Sequence, residues 1–345
     1  MADISLTYRQ RFLKNQLSFN KKYKSIFDKV ADDFARLSND PSIKFTKAFK
    51  FPPSIKKKMT AIITDFHDQA LALTEQEIKY SWNLNNSKND EIVSDYLKTI
   101  GTITAAQEAS YYLTNISALK AFISSDRGAG TLSDAIWQVS TQLRSELETH
   151  LGIGLAQGDS AQVISQRIRQ YLNNPTALFR RVRDADGNLI ASQAMIDNAP
   201  GQGVYNSAYK NAMRVARTNT NQAYQLADSA RWQQLDMVIG IEISVSAQHQ
   251  IDDICDELEG EYPKDFIFEG WHPQCLCHAV PILMPKDDFN AYLDGDQPLK
   301  ADQITDTPDN FDSFVKDNID KYSNYKSAPF WIEDNKGIIK DILKK

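Results

Sequence analysis

Val238-Ile239-Gly240-Ile241-Glu242-Ile243-Ser244-Val245 decides the fold class of this 345-residue chain. Ile239, Ile241, Ile243 and Val245 recur every second residue, the pattern of a strand with one covered face. No other stretch alternates as well. It runs directly into His249-Gln250-Ile251-Asp252-Asp253-Ile254-Cys255, followed by Gly260-Glu261-Tyr262-Pro263 and Trp271-His272-Pro273-Gln274-Cys275-Leu276-Cys277-His278. All three cysteines and three of the five histidines fall inside 30 positions. Thiol and imidazole share an affinity for borderline metals and a capacity for nucleophilic chemistry, so their crowding predicts one local site.

Upstream, the spacing predicts helix after helix. Met213, Ala216, Ala223, Leu226, Ala227 and Ala230 share one face of a long helix over about 207–235. Ile55, Met59, Ile62, Phe66, Ala70 and Leu73 mark another that starts after Pro52-Pro53, and Ile92, Tyr96, Leu97, Ile100 and Ile103 mark a third. The polar run Asn83-Leu84-Asn85-Asn86-Ser87 lies between the last two and predicts the turn of a helical hairpin. Ser133 is an expected N-cap for a helix carrying Ile136, Trp137, Leu143, Leu147 and Leu151, with Gly152 as its stop. Gly158-Asp159-Ser160 opens a further helix through Ile164, Ile168 and Leu172 that closes at Asn173-Asn174-Pro175. Residues 180–190 read as a short hairpin around Asp186-Gly187. Beyond 286, weak periodicity with Pro298, Pro308 and Pro329 and a late aromatic cluster at Phe330-Trp331 predict an extended segment that wraps or docks. The expected fold is therefore mainly α, a multi-helix body with a small α+β module of helix, strand and Cys/His hairpin near 206–285. In linear order the chain divides into a helical region 1–130 with a basic arm, a segment 131–285 that contains the metal-binding stretch 249–283, and an acidic docking tail 286–345.

With 42% apolar and 24% charged residues the composition is that of a soluble globular protein. No run of about 18 apolar residues exists and the N-terminus carries no apolar signal region, so a cytoplasmic chain with no membrane partner is expected. Three cysteines cannot all pair, which favours a reducing compartment and metal binding over a disulfide framework. The net charge of −6 conceals an asymmetry: residues 1–60 hold 14 Lys/Arg against 5 Asp/Glu, whereas 286–345 hold 9 against 13. Lys21, Lys22, Lys24, Lys56, Lys57 and Lys58 are the candidate contacts to nucleic acid or an acidic partner. A solvated helical face is the plainer account of the same lysines.

A structural zinc ion takes four ligands, usually supplied in pairs by two short turns. His249 and Cys255 would form one half of such a site, and His272 with Cys275 the other. In a regular extended strand Cys275 and Cys277 point to one face and His272 is out of line with one of the two thiols, so only one of them is a ligand, Cys275 or its alternate Cys277, and the spacing does not choose between them. Asp252 is a second alternate, as an oxygen ligand or as an acceptor that orients a histidine. The same residues admit an enzymatic reading, in which Cys255 is a nucleophile and His272 its base in a zinc- or cysteine-dependent hydrolase or toxin. Eight carboxylates surround the stretch against the single Lys264, and negative charge raises a cysteine pKa. No Gly-rich phosphate loop or nucleophile elbow accompanies it, so catalysis is not expected.

Taken in order, these segments resemble the phage Mu F-like head morphogenesis family. The resemblance rests on Arg217-Thr218-Asn219-Thr220-Asn221-Gln222-Ala223-Tyr224, then Ser244-Val245-Ser246, His249, Asp253-Ile254-Cys255-Asp256, Leu258, Gly260, Tyr262-Pro263-Lys264-Asp265 and His272-Pro273-Gln274-Cys275-Leu276-Cys277, and covers roughly 130–285. The chain departs from the family at Asn219, where many members are acidic, and at Asp252, where many carry the first thiol of a Cys-x-x-Cys pair. The resemblance implies a minor head protein of a tailed phage or prophage, inside the capsid beside the portal after assembly in the host cytoplasm. Its implied partners are the portal protein, capsid or scaffold proteins and phage DNA. Arg214 and Arg217 on the helix before the strand are candidate partner or phosphate contacts.

Overall fold

The computed structural model describes residues 2–43, 51–126, 130–178, 182–183, 189–190, 205–246, 253–295, 303–325 and 327–344. Over these the protein is mainly α with a small three-stranded antiparallel sheet, as the sequence predicts. The helices are α1 (Ala2–Arg36), α2 (Pro53–Leu97), α3 (Ala105–Tyr111), α4 (Ile116–Ser124), α5 (Leu132–Gln157), α6 (Ala161–Asn173), α7 (Ala208–Trp232), α8 (Ile254–Glu257), α9 (Lys286–Leu293), α10 (Asp309–Ser323), α11 (Phe330–Asp334) and α12 (Lys336–Ile342). A two-stranded ribbon pairs β1 (Val182–Arg183) with β2 (Leu189–Ile190), the predicted hairpin. In the main sheet β3 (Val238–Ser244) lies between β4 (Gly260–Tyr262) and β5 (His278–Leu283), with Ile241 opposite Tyr262 and Ile243 opposite Ala279.

Two compact units form, and neither is continuous in sequence. One comprises 17–75 and 132–216. Its interior is aromatic and aliphatic, with Phe27 edge-on to Phe66 at 4.7 Å and Leu143, Leu147 and Leu151 of α5 fully covered. The helix expected to open at Gly158-Asp159-Ser160 is α6, capped by Ser160, which accepts the Val163 N–H; Ser133, the expected N-cap of α5, lies instead inside that helix, which begins at Leu132. The expected stop at Gly152 is displaced: α5 runs on to Gln157. The glycine that matters is Gly154, where a Cβ would stand 2.4 Å from Ile164 Cγ1, so it permits α6 to pack closely on α5.

The other unit comprises 1–16, 76–131 and 217–345. Its core joins β3 to Tyr96, Tyr111, Trp232, Tyr262, Phe266 and Trp271 and to the tail residues Phe289, Phe311, Val315, Trp331 and Ile339. Strict alternation fails at the start of β3, where Val238, Ile239, Gly240 and Ile241 are all buried, because this central strand is covered on both faces. Within this unit the segment beyond 286 packs on the core through Phe289, Phe311 and Trp331, and it is helical where an extended segment was expected. Pro308 and Pro329 precede α10 and α11 in the N-cap position, so they punctuate helices at a place where a missing N–H has no cost. Pro298 lies outside the described residues.

The predicted turn at 83–87 does not exist, since α2 is one helix of 45 residues. Asn85 and Asn86 of that run, with Lys88 and Asn89 just after it, face inward, whereas Asn83 and Ser87 are exposed. Lys88 Nζ meets Asp228 Oδ2 at 2.6 Å with both side chains buried, and Asn89 Nδ2 donates to Asp228 Oδ1 at 2.8 Å. Arg231 Nη2 donates to Asn86 Oδ1 at 2.7 Å and Trp232 Nε1 to Asn89 Oδ1 at 2.8 Å. A polar run ends a helix when its side chains compete for the backbone. Here Asn86, Ser87 and Asn89 donate to carbonyls one turn back, which leaves the ladder in place, while Asn86, Lys88 and Asn89 also meet partners on α7, and the helical backbone remains intact.

Candidate metal centre

Cys255 stands in the first turn of α8, a one-turn helix made by its cap. Asp253 Oδ1 accepts the Cys255 N–H at 2.8 Å while Asp256 Oδ2 accepts the Asp253 N–H at 2.9 Å, which is a capping box. His272 and Cys275 come from the loop that leads into β5. Gly270 has φ +108, and a Cβ there would meet Cys275 Cβ at 3.0 Å, so only glycine lets the loop close. Gln274 is also left-handed, with φ 63, and the Cys275 N–H bonds the His272 carbonyl at 3.0 Å. Beneath the loop, Trp271 packs on Phe268 at 5.2 Å and on Trp331 at 6.0 Å.

This folding brings Cys255 Sγ to 3.2 Å from His272 Nε2 and 3.7 Å from Cys275 Sγ. The three candidate ligand atoms all lie within 4.8 Å of one another. The three cysteines are buried, while His272 keeps a third of its side chain exposed. Asp253 Oδ2 approaches the same His272 Nε2 at 3.3 Å, and Nδ1 lies 3.0 Å from the Pro273 carbonyl. The Cys277 thiol also interacts with the thiols of Cys255 and Cys275. Crowding sets the proton affinities: the bond to Cys275 raises the Cys255 pKa, and the reciprocal bond from Cys255 lowers that of Cys275. For Cys277 the bond to Cys255 acts downward, but Cys275 and burial outweigh it and push the thiol up to about 12. Three thiols this close cannot all ionise without a cation among them.

A bracket of buried polar side chains holds the loop. Asn221 Nδ2 donates to the Cys275 carbonyl at 3.2 Å, Arg9 Nη2 to the Leu276 carbonyl at 2.8 Å, and Gln225 Nε2 to the Cys277 carbonyl at 3.0 Å. Thr218 Oγ1 accepts the Gln274 N–H at 3.1 Å, and Arg9 Nη1 donates to Asn221 Oδ1 at 3.2 Å. Four consecutive residues of the loop thus have their backbone groups paired with α7 or α1. Gln222 Nε2 donates to the buried Glu269 at 3.3 Å.

Of the sequence-predicted ligands, Cys255, His272 and Cys275 are brought together, with the alternate Cys277 against the two thiols; His249 and Asp252 lie outside the described residues. Asp253, not singled out from the sequence, both caps α8 and faces His272; the Asp253-x-x-Asp256 spacing was its signal. Thr218, Asn221, Gln222 and Gln225 were not recognised as a group, although their i, i+3, i+4, i+7 spacing is a polar stripe of helical period. Nothing in the sequence near Arg9 pointed to the site.

Among the basic candidates Lys24 pairs with Asp28 at 2.6 Å and Lys58 with Asp40 at 2.5 Å, whereas Lys21, Lys22, Lys56 and Lys57 are exposed. Arg217 is exposed and Arg214 half-buried. A cleft of about 790 Å³ in the unit that holds the thiols is lined by Trp82, Phe122, Leu226, Ala230, Ile267 and Phe330 among others, and includes none of the cluster. No helix among the described residues is long and apolar enough to cross a membrane. No family model, curated protein or solved structure matches the chain.

Proposed function

We propose that this chain is a non-enzymatic minor head protein of a tailed phage or prophage, of the Mu F-like kind, whose module around β3 is stapled by a structural zinc ion. The observation that carries the reading is the convergence of Asn221, Gln225 and Thr218 on the backbone of Gln274, Cys275 and Cys277. The segments that bear the family resemblance are some 50 residues apart in sequence, and their polar side chains serve one loop. A protein of this kind sits in the virion interior near the portal, contacts portal and capsid or scaffold proteins, and presents the exposed lysines of its N-terminal arm to DNA.

The donor set fits zinc. Two sulfurs bound to one tetrahedral zinc at about 2.3 Å lie about 3.8 Å apart, and Cys255 and Cys275 already stand at 3.7 Å. Cys255, His272 and Cys275 would hold the ion, with Cys277 the nearest further thiol. When bound, zinc supplies a cross-link between α8 and the loop before β5 and stabilises the thiolates that burial opposes. The runner-up is a thiol-dependent hydrolase, favoured by the 3.2 Å between Cys255 Sγ and His272 Nε2. Against it, Asp253 approaches the nitrogen that faces the thiol, whereas an orienting carboxylate belongs on the other one.

Elemental analysis of the full chain and its Cys255→Ser variant tests the staple: about one zinc per chain, lost in the variant, is expected. Metal-free protein purified without chelators, with a thiol that iodoacetamide alkylates readily, would establish the hydrolase reading in its place. For the head role, mass spectrometry of purified heads and virions should detect the chain; its absence from both would end that assignment.

A further inference from the structure

We propose that Cys255 and Cys275 are a convertible pair, held by a cation while reduced and closed into a disulfide once the cation is removed and a peroxide is present. The pairing follows from geometry. Their sulfurs stand 3.7 Å apart, within the reach of modest side-chain rotation, and both side chains are buried. A single residue separates Cys277 from Cys275, and a bridge between such near neighbours is strained, which leaves Cys255 as the partner of Cys275. The elements that carry the two thiols are independently fixed. The capping box of Asp253 and Asp256 holds Cys255, and Asn221 with Gly270 holds Cys275, so the thiols remain neighbours when no cation is between them.

The chemistry balances with hydrogen peroxide as oxidant. One thiol releases its proton and attacks a peroxide oxygen as the thiolate, the O–O bond breaks, and the departing hydroxide takes up that proton, so that a sulfenic acid and one water form. The second thiol then attacks that sulfur and expels the hydroxyl as a second water. Two sulfurs are oxidised, one peroxide is reduced, and Cys277 stays a thiol. The protein thereby retains a covalent link between residues 20 apart in an oxidising medium where a zinc–thiolate link would be lost. Protection by zinc rests on the metal reading above; formation of the disulfide does not.

Full-length protein, as purified and after treatment with a chelator, is exposed to hydrogen peroxide and mapped by non-reducing peptide mass spectrometry. Chelated protein should yield a linked peptide pair joining Cys255 to Cys275 with a single remaining thiol, and the Cys277→Ser variant should yield the same pair. Sulfinic acids with no linked peptide, or loss of the link in Cys277→Ser, would overturn the proposal. Zinc added back before peroxide should slow linkage at least tenfold. A link that forms equally fast with zinc overturns the protection and the metal reading while leaving the pairing intact.

Discussion

The side-chain amide of Asn221 on α7 donates to the carbonyl of Cys275, 54 residues further along the chain, at 3.2 Å. Through its Oδ1 the same side chain accepts from Arg9 near the N-terminus, so one buried asparagine joins three distant segments, α1, α7 and the thiol loop. Removing it strands the Cys275 carbonyl and takes a bond from the Arg9 guanidinium, which keeps the Leu276 carbonyl. Asn221→Ala should destabilise the protein by about 1–3 kcal/mol, the cost of unmet buried hydrogen bonds. As an outer support of a metal ligand it should also weaken zinc binding by about 10- to 100-fold. Competition with a chromophoric chelator measures the second effect, and an unchanged affinity would mean that the loop is held by its aromatic floor alone.

The buried pair of Lys88 and Asp228 makes an asymmetric prediction. Replacing one partner leaves an uncompensated charge in the interior, so Lys88→Met should cost about 3–5 kcal/mol. The double variant Lys88→Met, Asp228→Leu should recover a good part of that loss. Urea denaturation of the three variants decides it. Equal losses in the single and double variants would show that the pair's contacts with Asn89, rather than the charges, carry the energy.

Glu146 on α5 accepts the Ala208 N–H at the start of α7, and burial pushes its carboxyl up to about 8 despite that bond and one from Gln142. Between the ordinary glutamate value of 4.5 and about 8 the folded state holds a proton that the unfolded chain releases. Its contribution is therefore complete below the unfolded value and is lost as the pH rises toward 8. Glu146→Gln, which keeps an acceptor for Ala208, should flatten the decline in the urea midpoint between pH 5 and 8. If the slope is the same in both proteins, Glu146 is ionised in the fold.

On the N-terminal arm the ion pairs separate two sets of lysines. Replacing Lys21, Lys22, Lys56 and Lys57 with alanine should lower the slope of log K against log salt by about one for each lysine that meets a DNA phosphate. Replacing Lys24 and Lys58, already engaged with Asp28 and Asp40, should change it less. Fluorescence anisotropy with duplex DNA at several salt concentrations reads both. A salt slope indifferent to the first four substitutions would reduce the arm to a solvated face.

Local periodicity was enough for much of this protein. The strand at β3, the helix at α7, the helix opening at Gly158-Asp159-Ser160 and the clustering of Cys255, His272 and Cys275 were all legible, because each depends on neighbours within one or two turns or on residue types with few other uses. The errors share one cause. Asn85, Asn86, Lys88 and Asn89 look like a solvent-facing break until Asp228 and Arg231 are brought to them. The prolines of the tail look like breakers until the tail's apolar side chains find the core beside β3 and its helices form between them. The bracket of Arg9, Asn221 and Gln225 could not be read as a unit, since a polar side chain declares its partner only when both are buried together. The sequence by itself determined where helices and strand begin and which residues have the chemistry to bind a metal. Tertiary structure alone decided which polar groups are satisfied, and that is a property of pairs hundreds of residues apart rather than of any stretch of chain.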